Sequence, residues 1–331
     1  MDRNVRQVRI LSCSGGGIRG LLSARLLEHL MARIGASIQD TFHLFAGNST
    51  GALIGLAQVR PDPHPASAIP EFYHEFGPQI FSRSYGWKLR TAWGFRGPKY
   101  PIDGLRDCAR NLAGDYWLSD CTMDFLAPAY DLVTGGPYWF KSWDAIGGHD
   151  FALADVGQAS ASAPTYFPAS KIIARDRTIR YFSDGGVFAN NPSLAAIREV
   201  RQRYPKATEI LLVSIGTGSL DYRLPAERIP SWGLLSWLPP LIDILQTVNG
   251  NHLRAQVAQA LEGHKYYHFD LKVSQDYRGV ELPSTNMDLA SAGNLARLDD
   301  LAHAWIQSST LEIDQLAPLL ASPKCDPSLL M

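Results

Sequence analysis

Residues 42–60, FHLFAGNSTGALIGLAQVR, constrain this chain more than any other stretch. The apolar run 42–46 reads as a short buried strand, and Leu53, Ile54, Leu56 and Ala57 read as a helix that Pro61 stops. Between them stand Gly47-Asn48-Ser49-Thr50-Gly51. A strand that becomes a helix within five residues needs a sharp bend, and glycine at both ends removes the side chains that would obstruct it. The bend lifts the Ser49 hydroxyl to the end of the sheet, with the N–H groups of the new helix behind it. G-x-S-x-G in this setting marks Ser49 as a candidate nucleophile and Gly47 and Gly51 as its elbow. The bare pattern arises by chance in a chain with 28 Gly; the flanking strand and helix give it weight.

A second glycine turn lies upstream. Residues 7–14 alternate as a strand, Gly15-Gly16-Gly17-Ile18-Arg19-Gly20 follows, and Leu22, Leu26, Leu27, Leu30, Met31 and Ile34 form the stripe of a helix that Gly35 ends. Bare N–H groups in such a turn converge on one point and favour an anion. Two readings compete. Gly15, Gly17 and Gly20 satisfy the dinucleotide fingerprint, with Asp40 at the spacing of the ribose-binding acid, although RIGASIQ before it makes a poor second strand. On that reading the chain is a nucleotide-binding module. On the other, the turn is an oxyanion hole, whose donors aim at the negative oxygen that develops in ester hydrolysis.

Charge and apolar content narrow the class. A formal net charge of -1 argues against a nucleic acid polymer as partner. Hydrophobic residues at 46% support a large core in one domain with a C-terminal extension. Cys13, Cys108, Cys121 and Cys325 have no metal-ligand spacing and suit a reducing compartment. The start, MDRNVRQVRILSCS, lacks the apolar core of a signal peptide, and the nearest candidate span, 232–245, is short and carries Pro239-Pro240 and Asp243. The expectation is a cytoplasmic protein that meets membranes only from their surface.

The rest of the chain reads as follows. A helix covers 70–80, and 81–101 is a loop in which Arg83, Lys88, Arg90, Arg96 and Lys99 interleave with Tyr85, Trp87, Trp93 and Phe95, a pattern that fits phosphates or lipid headgroups. A helix at 102–113, a hairpin at 124–143 and a small-residue helix within 151–164 follow. A strand at 179–183 runs into Asp184-Gly185-Gly186, a turn that holds a carboxylate at a strand end; Asn190-Asn191-Pro192 open a helix to Tyr204. Residues 210–215 form an apolar strand before Gly216-Thr217-Gly218. Residues 219–245, with Trp232, Leu234, Leu235, Trp237 and Leu238, suit an apolar flap; a helix at 241–262, a strand at 265–273 and a final helix at 287–307 complete the chain.

A serine nucleophile needs a partner to take its proton. In a histidine-dependent α/β-hydrolase that partner follows late in the chain, and His264, His268 and His303 lie downstream. None stands on a clear loop after a strand. Three glycines before the serine and Asp184-Gly185-Gly186 after it point instead to a carboxylate.

These blocks resemble the patatin-like phospholipase family. The matches are GGGIRG at 15–20, GNSTG at 47–51 and DGGVFANNP at 184–192, supported by FLAPAYDL at 125–132, ASAPTYFPA at 161–169 and SIGTG at 214–218. The likeness covers about 8–218 in the family's order and spacing. It implies a three-layer α/β/α sandwich around a mostly parallel sheet, a catalytic domain at 8–218 and an extension at 219–331 packed on it. It implies a Ser–Asp dyad without histidine, with Ser49 as nucleophile and Asp184 as base. Gly15, Gly16, Gly17 and Arg19 would form the oxyanion loop, and Gly185 and Gly186 the turn beside the base. The implied activity is phospholipase A or lysophospholipase hydrolysis at a phospholipid membrane surface, peripheral at the inner membrane, with no metal or cofactor. Some bacterial members are effectors switched on by a cyclic nucleotide in phage defence, and the stretch 83–99 is compatible with such an activator, as the chain is with a homo-oligomer. One departure is Ser14, where the family often has Asp; it bears on how the loop is anchored.

Overall fold

The apolar runs become the middle of one mixed sheet. The computed structural model describes residues 6–219, 253–273, 277 and 279–331. Its strands are β1 (Gln7–Cys13), β2 (Leu44–Gly47), β3 (Asp124–Asp131), β4 (Gly136–Lys141), β5 (Ser170–Ile173), β6 (Ile179–Asp184), β7 (Glu209–Ile215) and β8 (Lys265–Phe269). The order is β5-β6-β3-β2-β1-β7-β8, with β4 also on β3. Strands β3, β2, β1, β7 and β8 run parallel; β4 and β6 run antiparallel to β3, and β5 to β6.

The α-helices fully within the described residues are α1 (Gly20–Ile34), α2 (Ile38–Thr41), α3 (Thr50–Val59), α4 (Ile69–Ile80), α5 (Tyr85–Arg90), α6 (Asp103–Ala113), α7 (Leu153–Ala161), α8 (Gly186–Ala189), α9 (Ser193–Arg203), α10 (Ala292–Ser308) and α11 (Thr310–Ala321); residues 253–260 are also helical. Side chains alternate across a strand, so β1 sends Leu11 and Cys13 to one face and Val8 and Ile10 to the other. The first face packs against α1, α3, α7, α10 and α11; the second packs against α9 through Ala196, Ile197 and Val200 and against Val257 and Leu261. Parallel strands covered on both faces give the expected three layers. Leu295, Leu298, Leu301 and Leu316 share the α1 core, so the C-terminal helices belong to the same packed unit. Among the described residues no helix is long and apolar enough to cross a membrane.

One topological detail positions the chemistry. β2 occupies an edge of β3 only from Asp124 to Leu126, and β6 takes over from Ala129, arriving antiparallel with Asp184 opposite Ala129. β4 holds the other edge from Leu126 to Asp131. The C-terminal ends of β2 and β6 therefore meet, and Asp184 reaches the loop that leaves β2.

Several boundaries differ from the sequence pattern. The 81–101 loop contains α5, whose start Ser84 caps by accepting from the Trp87 N–H at 3.2 Å. The final helix begins at Ala292, capped by Ser291, which leaves 287–290 irregular. β8 stops at Phe269 rather than at 273, while β5 and α11 are additions; Pro318 inside α11 breaks the helical pattern that would have revealed it. Residues 220–245 of the expected flap, and the start of the 241–262 helix, lie outside the described residues.

Candidate active site

The elbow is built on backbone crowding. Ser49 adopts φ 53, ψ −120, a conformation that glycine accepts and other residues rarely adopt. A Cβ at Gly47 would lie 2.3 Å from the Gly51 carbonyl oxygen, and one at Gly51 would lie 2.2 Å from that of Cys13. Neither position can hold a side chain without opening the turn. The Ser49 N–H donates to Ser160 Oγ at 3.2 Å, which ties the elbow to α7. The small residues of α7 allow this approach: a Cβ on Gly157 would sit 2.3 Å from Leu56 Cδ1 of α3.

Asp184 stands beside the serine, 4% exposed. Its N–H donates to Ser162 O at 2.9 Å and its Oδ1 accepts from the Gly186 N–H at 2.6 Å. Burial pushes its pKa from 3.8 up to about 6, against the Gly186 N–H, the Ser49 hydroxyl and the Asn48 amide, which all favour the charged form. Gly185 is required because a Cβ there would meet the Pro128 backbone at 2.6 Å. A carboxylate near 6 accepts a proton better than an ordinary aspartate yet is still ionised at neutral pH.

The upstream turn is held from three sides. The Gly15 N–H donates to Asn190 O at 3.0 Å, and Gly15 O accepts from Thr217 Oγ1 at 2.8 Å. The Ser14 N–H donates to Ile215 O, which anchors the loop to β7 without the acid often found at this place. A Cβ at Gly16 would lie 2.0 Å from Thr217 Oγ1; Gly17, at φ 58, faces Met287 O, which also accepts from the Ile18 N–H at 2.8 Å. Among the described residues the N–H groups of Gly16 and Gly17 have no acceptor. Gly15 thus shapes the loop while its own N–H is already used. Arg19 is buried and does not line the cavity; burial pushes the pKa of Asp270 up to about 6, and the Arg19 charge partly opposes that rise.

Ser49, Asp184 and Gly17 line one predominantly apolar cavity. Its walls come from α3, α4, α6 and the segment after α7, with Leu53, Ile69, Phe72, Ile80, Leu105 and Phe167 among them. The apolar lining suits a hydrocarbon chain whose polar end meets the serine.

The competing assignments fare differently. No histidine among the described residues lines this cavity. His264 Nδ1 accepts from the Ile210 N–H at 3.4 Å, His303 is exposed on α10, and His268 lies 3.3 Å from Ser214 Oγ with burial pushing its pKa down to about 4. Asp40 sits on α2, bonded to Ser37, ahead of β2 rather than at a strand end, so the dinucleotide geometry is not met. No group of residues that could hold a metal occurs among the described residues. Four supporting residues escaped the sequence pattern. Asn48, Asn190 and Thr217 lie inside its motifs, yet only their contacts reveal roles; Met287 reads in sequence only as the start of the last helix.

The model of the Patatin-like phospholipase family matches residues 11–197. Patatin-like protein 3 of Arabidopsis thaliana is 28% identical over 93% of this chain and 82% of its own. Patatin-like protein 2 of Oryza sativa subsp. indica is 30% identical over 94% and 86%. A protein described as Probable inactive patatin-3-Kuras 1 of Solanum tuberosum is 27% identical over 92% and 88%. Among solved structures, human GIVD cytosolic phospholipase A2 has a TM-score of 0.50 at 13% identity, covering 97% of this chain and 62% of that one, a likeness of fold.

Proposed function

Since the chain belongs to the patatin-like phospholipase family, a family of lipid acyl hydrolases, we propose that it cleaves phospholipid acyl esters through a Ser49–Asp184 dyad and an acyl-enzyme. Asp184 takes the Ser49 proton as Oγ attacks the ester carbonyl. The carbonyl oxygen becomes an oxyanion beside the Gly16 and Gly17 N–H groups, where each donor is worth roughly a hundred- to a thousand-fold in rate. Protonated Asp184 then gives its proton to the departing lysophospholipid or glycerol oxygen. Water repeats the sequence on the acyl-enzyme, with Asp184 again as base, and releases the fatty acid. The acyl chain lies in the apolar cavity.

The observation that carries this reading is a buried carboxylate with a pKa near 6 and a serine at φ 53 opening into one apolar cavity. Because a similar potato protein is described as inactive, membership alone leaves turnover to be measured. The test is release of fatty acid from phospholipid and lysophospholipid by wild type, Ser49→Ala, Asp184→Asn, His264→Ala, His268→Ala and His303→Ala. Loss in the first two variants with retention in the histidine set supports the dyad; loss with a histidine change and retention in Asp184→Asn replaces it by a histidine-dependent hydrolase. A cyclic-nucleotide trigger and an antiviral role rest on the resemblance alone. A thermal-shift panel of cyclic di- and trinucleotides, followed by hydrolysis assays with each, tests them, and no shift with no activation removes them.

A further inference from the structure

Between α4 and α6 the surface changes character. Tyr85, Leu89, Trp93 and Phe95 are 70%, 52%, 54% and 75% exposed. Single exposed apolar side chains are ordinary, but four within residues 85–95 form a patch. Residues 76–102 contain five Lys or Arg and no Asp or Glu, in a chain whose totals are 31 and 32. Lys99 pairs with Asp288, while Lys88, Arg90 and Arg96 make no ion pair among the described residues.

Local structure holds the apolar side chains out. Thr91 is buried and its Oγ1 donates to Trp87 O at 2.9 Å, while Trp87 Nε1 donates to Pro98 O at 3.1 Å. The N–H groups of Gly94 and Arg96 both donate to Thr91 O. The turn built on this pin puts Ala92 and Trp93 at φ 45 and 58, a conformation costly for side chains of this kind. Arg90 stacks over the Trp87 ring at 4.2 Å, which leaves the charge at the surface.

The patch adjoins the cavity. Phe81 and Phe167 line the cavity, and Tyr100 packs on both at 5.5 and 5.9 Å. The Lys99 and Tyr100 N–H groups donate to Thr165 O and Tyr166 O. Tyr100 OH donates to Asp288 at 2.8 Å, next to the Met287 carbonyl that fixes the glycine loop.

We propose that residues 85–96 dock the protein on an anionic phospholipid bilayer. Tyr85, Leu89, Trp93 and Phe95 enter the boundary between headgroups and acyl chains, and Lys88, Arg90 and Arg96 pair with headgroup phosphates. Aromatic side chains favour that depth, and cations beside them add attraction to an anionic leaflet. The choice of lipid rests on the hydrolase reading; the docking itself does not need turnover.

The experiment is vesicle flotation with the full chain on a Ser49→Ala background, so that no lipid is consumed. Vesicles of phosphatidylcholine alone are compared with vesicles of phosphatidylcholine and phosphatidylglycerol. Trp93→Ala with Phe95→Ala is expected to lower partitioning about tenfold or more on the mixed vesicles. Lys88→Gln with Arg96→Gln is expected to lower it about fivefold per cation on the mixed vesicles and little on phosphatidylcholine. Leu311→Ala, which removes a 79% exposed leucine of α11, is expected to bind like its parent. The inference is overturned if the parent does not float with mixed vesicles, or if neither patch variant weakens its binding. Sedimentation velocity adds one more overturning result: a dimer that the patch changes dissociate, without vesicle binding. A protein that floats as expected but hydrolyses no ester fails the hydrolase reading and keeps the docking surface.

Discussion

Replacing Asp184 by asparagine separates the stability of the site from its chemistry. The buried carboxyl is moved from 3.8 to about 6, and at about 1.4 kcal/mol per decade of acidity its ionisation costs the folded state on the order of 3 kcal/mol. The folded value lies above the unfolded one. This group therefore contributes its stability fully below about 3.8 and loses it as pH rises through about 6. Asparagine is isosteric and uncharged. Its oxygen can still accept from the Gly186 N–H, but its amide would face the Asn48 Nδ2 donor, at a cost of about 1 kcal/mol. At pH 8 the variant should be the more stable protein by about 2 kcal/mol, seen as a rise of about 3 °C in thermal midpoint. At pH 4 the wild-type carboxyl is already neutral in the fold, and the advantage should vanish or reverse. Thermal unfolding of both proteins across this pH range, with an ester assay on each, reads the result. A variant that is less stable at both ends, or one that keeps its activity, would refute the reasoning.

Three further outcomes follow from the same geometry. Ser49→Gly should be more stable than Ser49→Ala by about 1 kcal/mol, read as a higher thermal midpoint, because glycine accepts φ 53 without strain; equal midpoints would mean that the elbow stores nothing. Gly16→Ala places a Cβ against Thr217 and should lower kcat roughly a hundredfold with the protein still folded, while adding Thr217→Gly should restore part of it. Leu53→Trp fills the apolar cavity and should shift hydrolysis toward shorter acyl chains, read by competition between esters of different length.

The central sheet was legible because buried strands and helices write their period into the residues. Leu44 to Gly47 and Leu22 to Ile34 are such cases, and the glycines at 47 and 51 announce the bend between strand and helix. What pairs with what was not. Asp184 reaches Ser49 only because β6 replaces β2 along β3, a long-range arrangement that no local pattern encodes; the family resemblance supplied it. The use of the Gly15 N–H by Asn190 joins residues 175 apart, so the reading of Gly15 as an oxyanion donor could not be corrected without the fold. Arg19 follows a glycine turn in sequence, yet packing directs its charge toward Asp270 instead of the cavity. α11 stayed hidden behind Pro318, and β5 behind its four-residue length. The helical pattern read over 287–307 makes Met287 part of the last helix, yet that helix begins only at Ala292, which frees the Met287 carbonyl to fix the glycine loop.

The central claim is that a carboxylate alone activates Ser49. Mass spectrometry of the protein after reaction with an alkyl fluorophosphonate tests it most directly, with the adduct mapped to its residue and its rate followed against pH. The account predicts one adduct, on Ser49, forming faster as pH rises through about 6, slowed about a hundredfold or more by Asp184→Asn and untouched by changes at His264, His268 or His303. An adduct on another residue, or a rate that a histidine change abolishes and Asp184→Asn leaves alone, would contradict it.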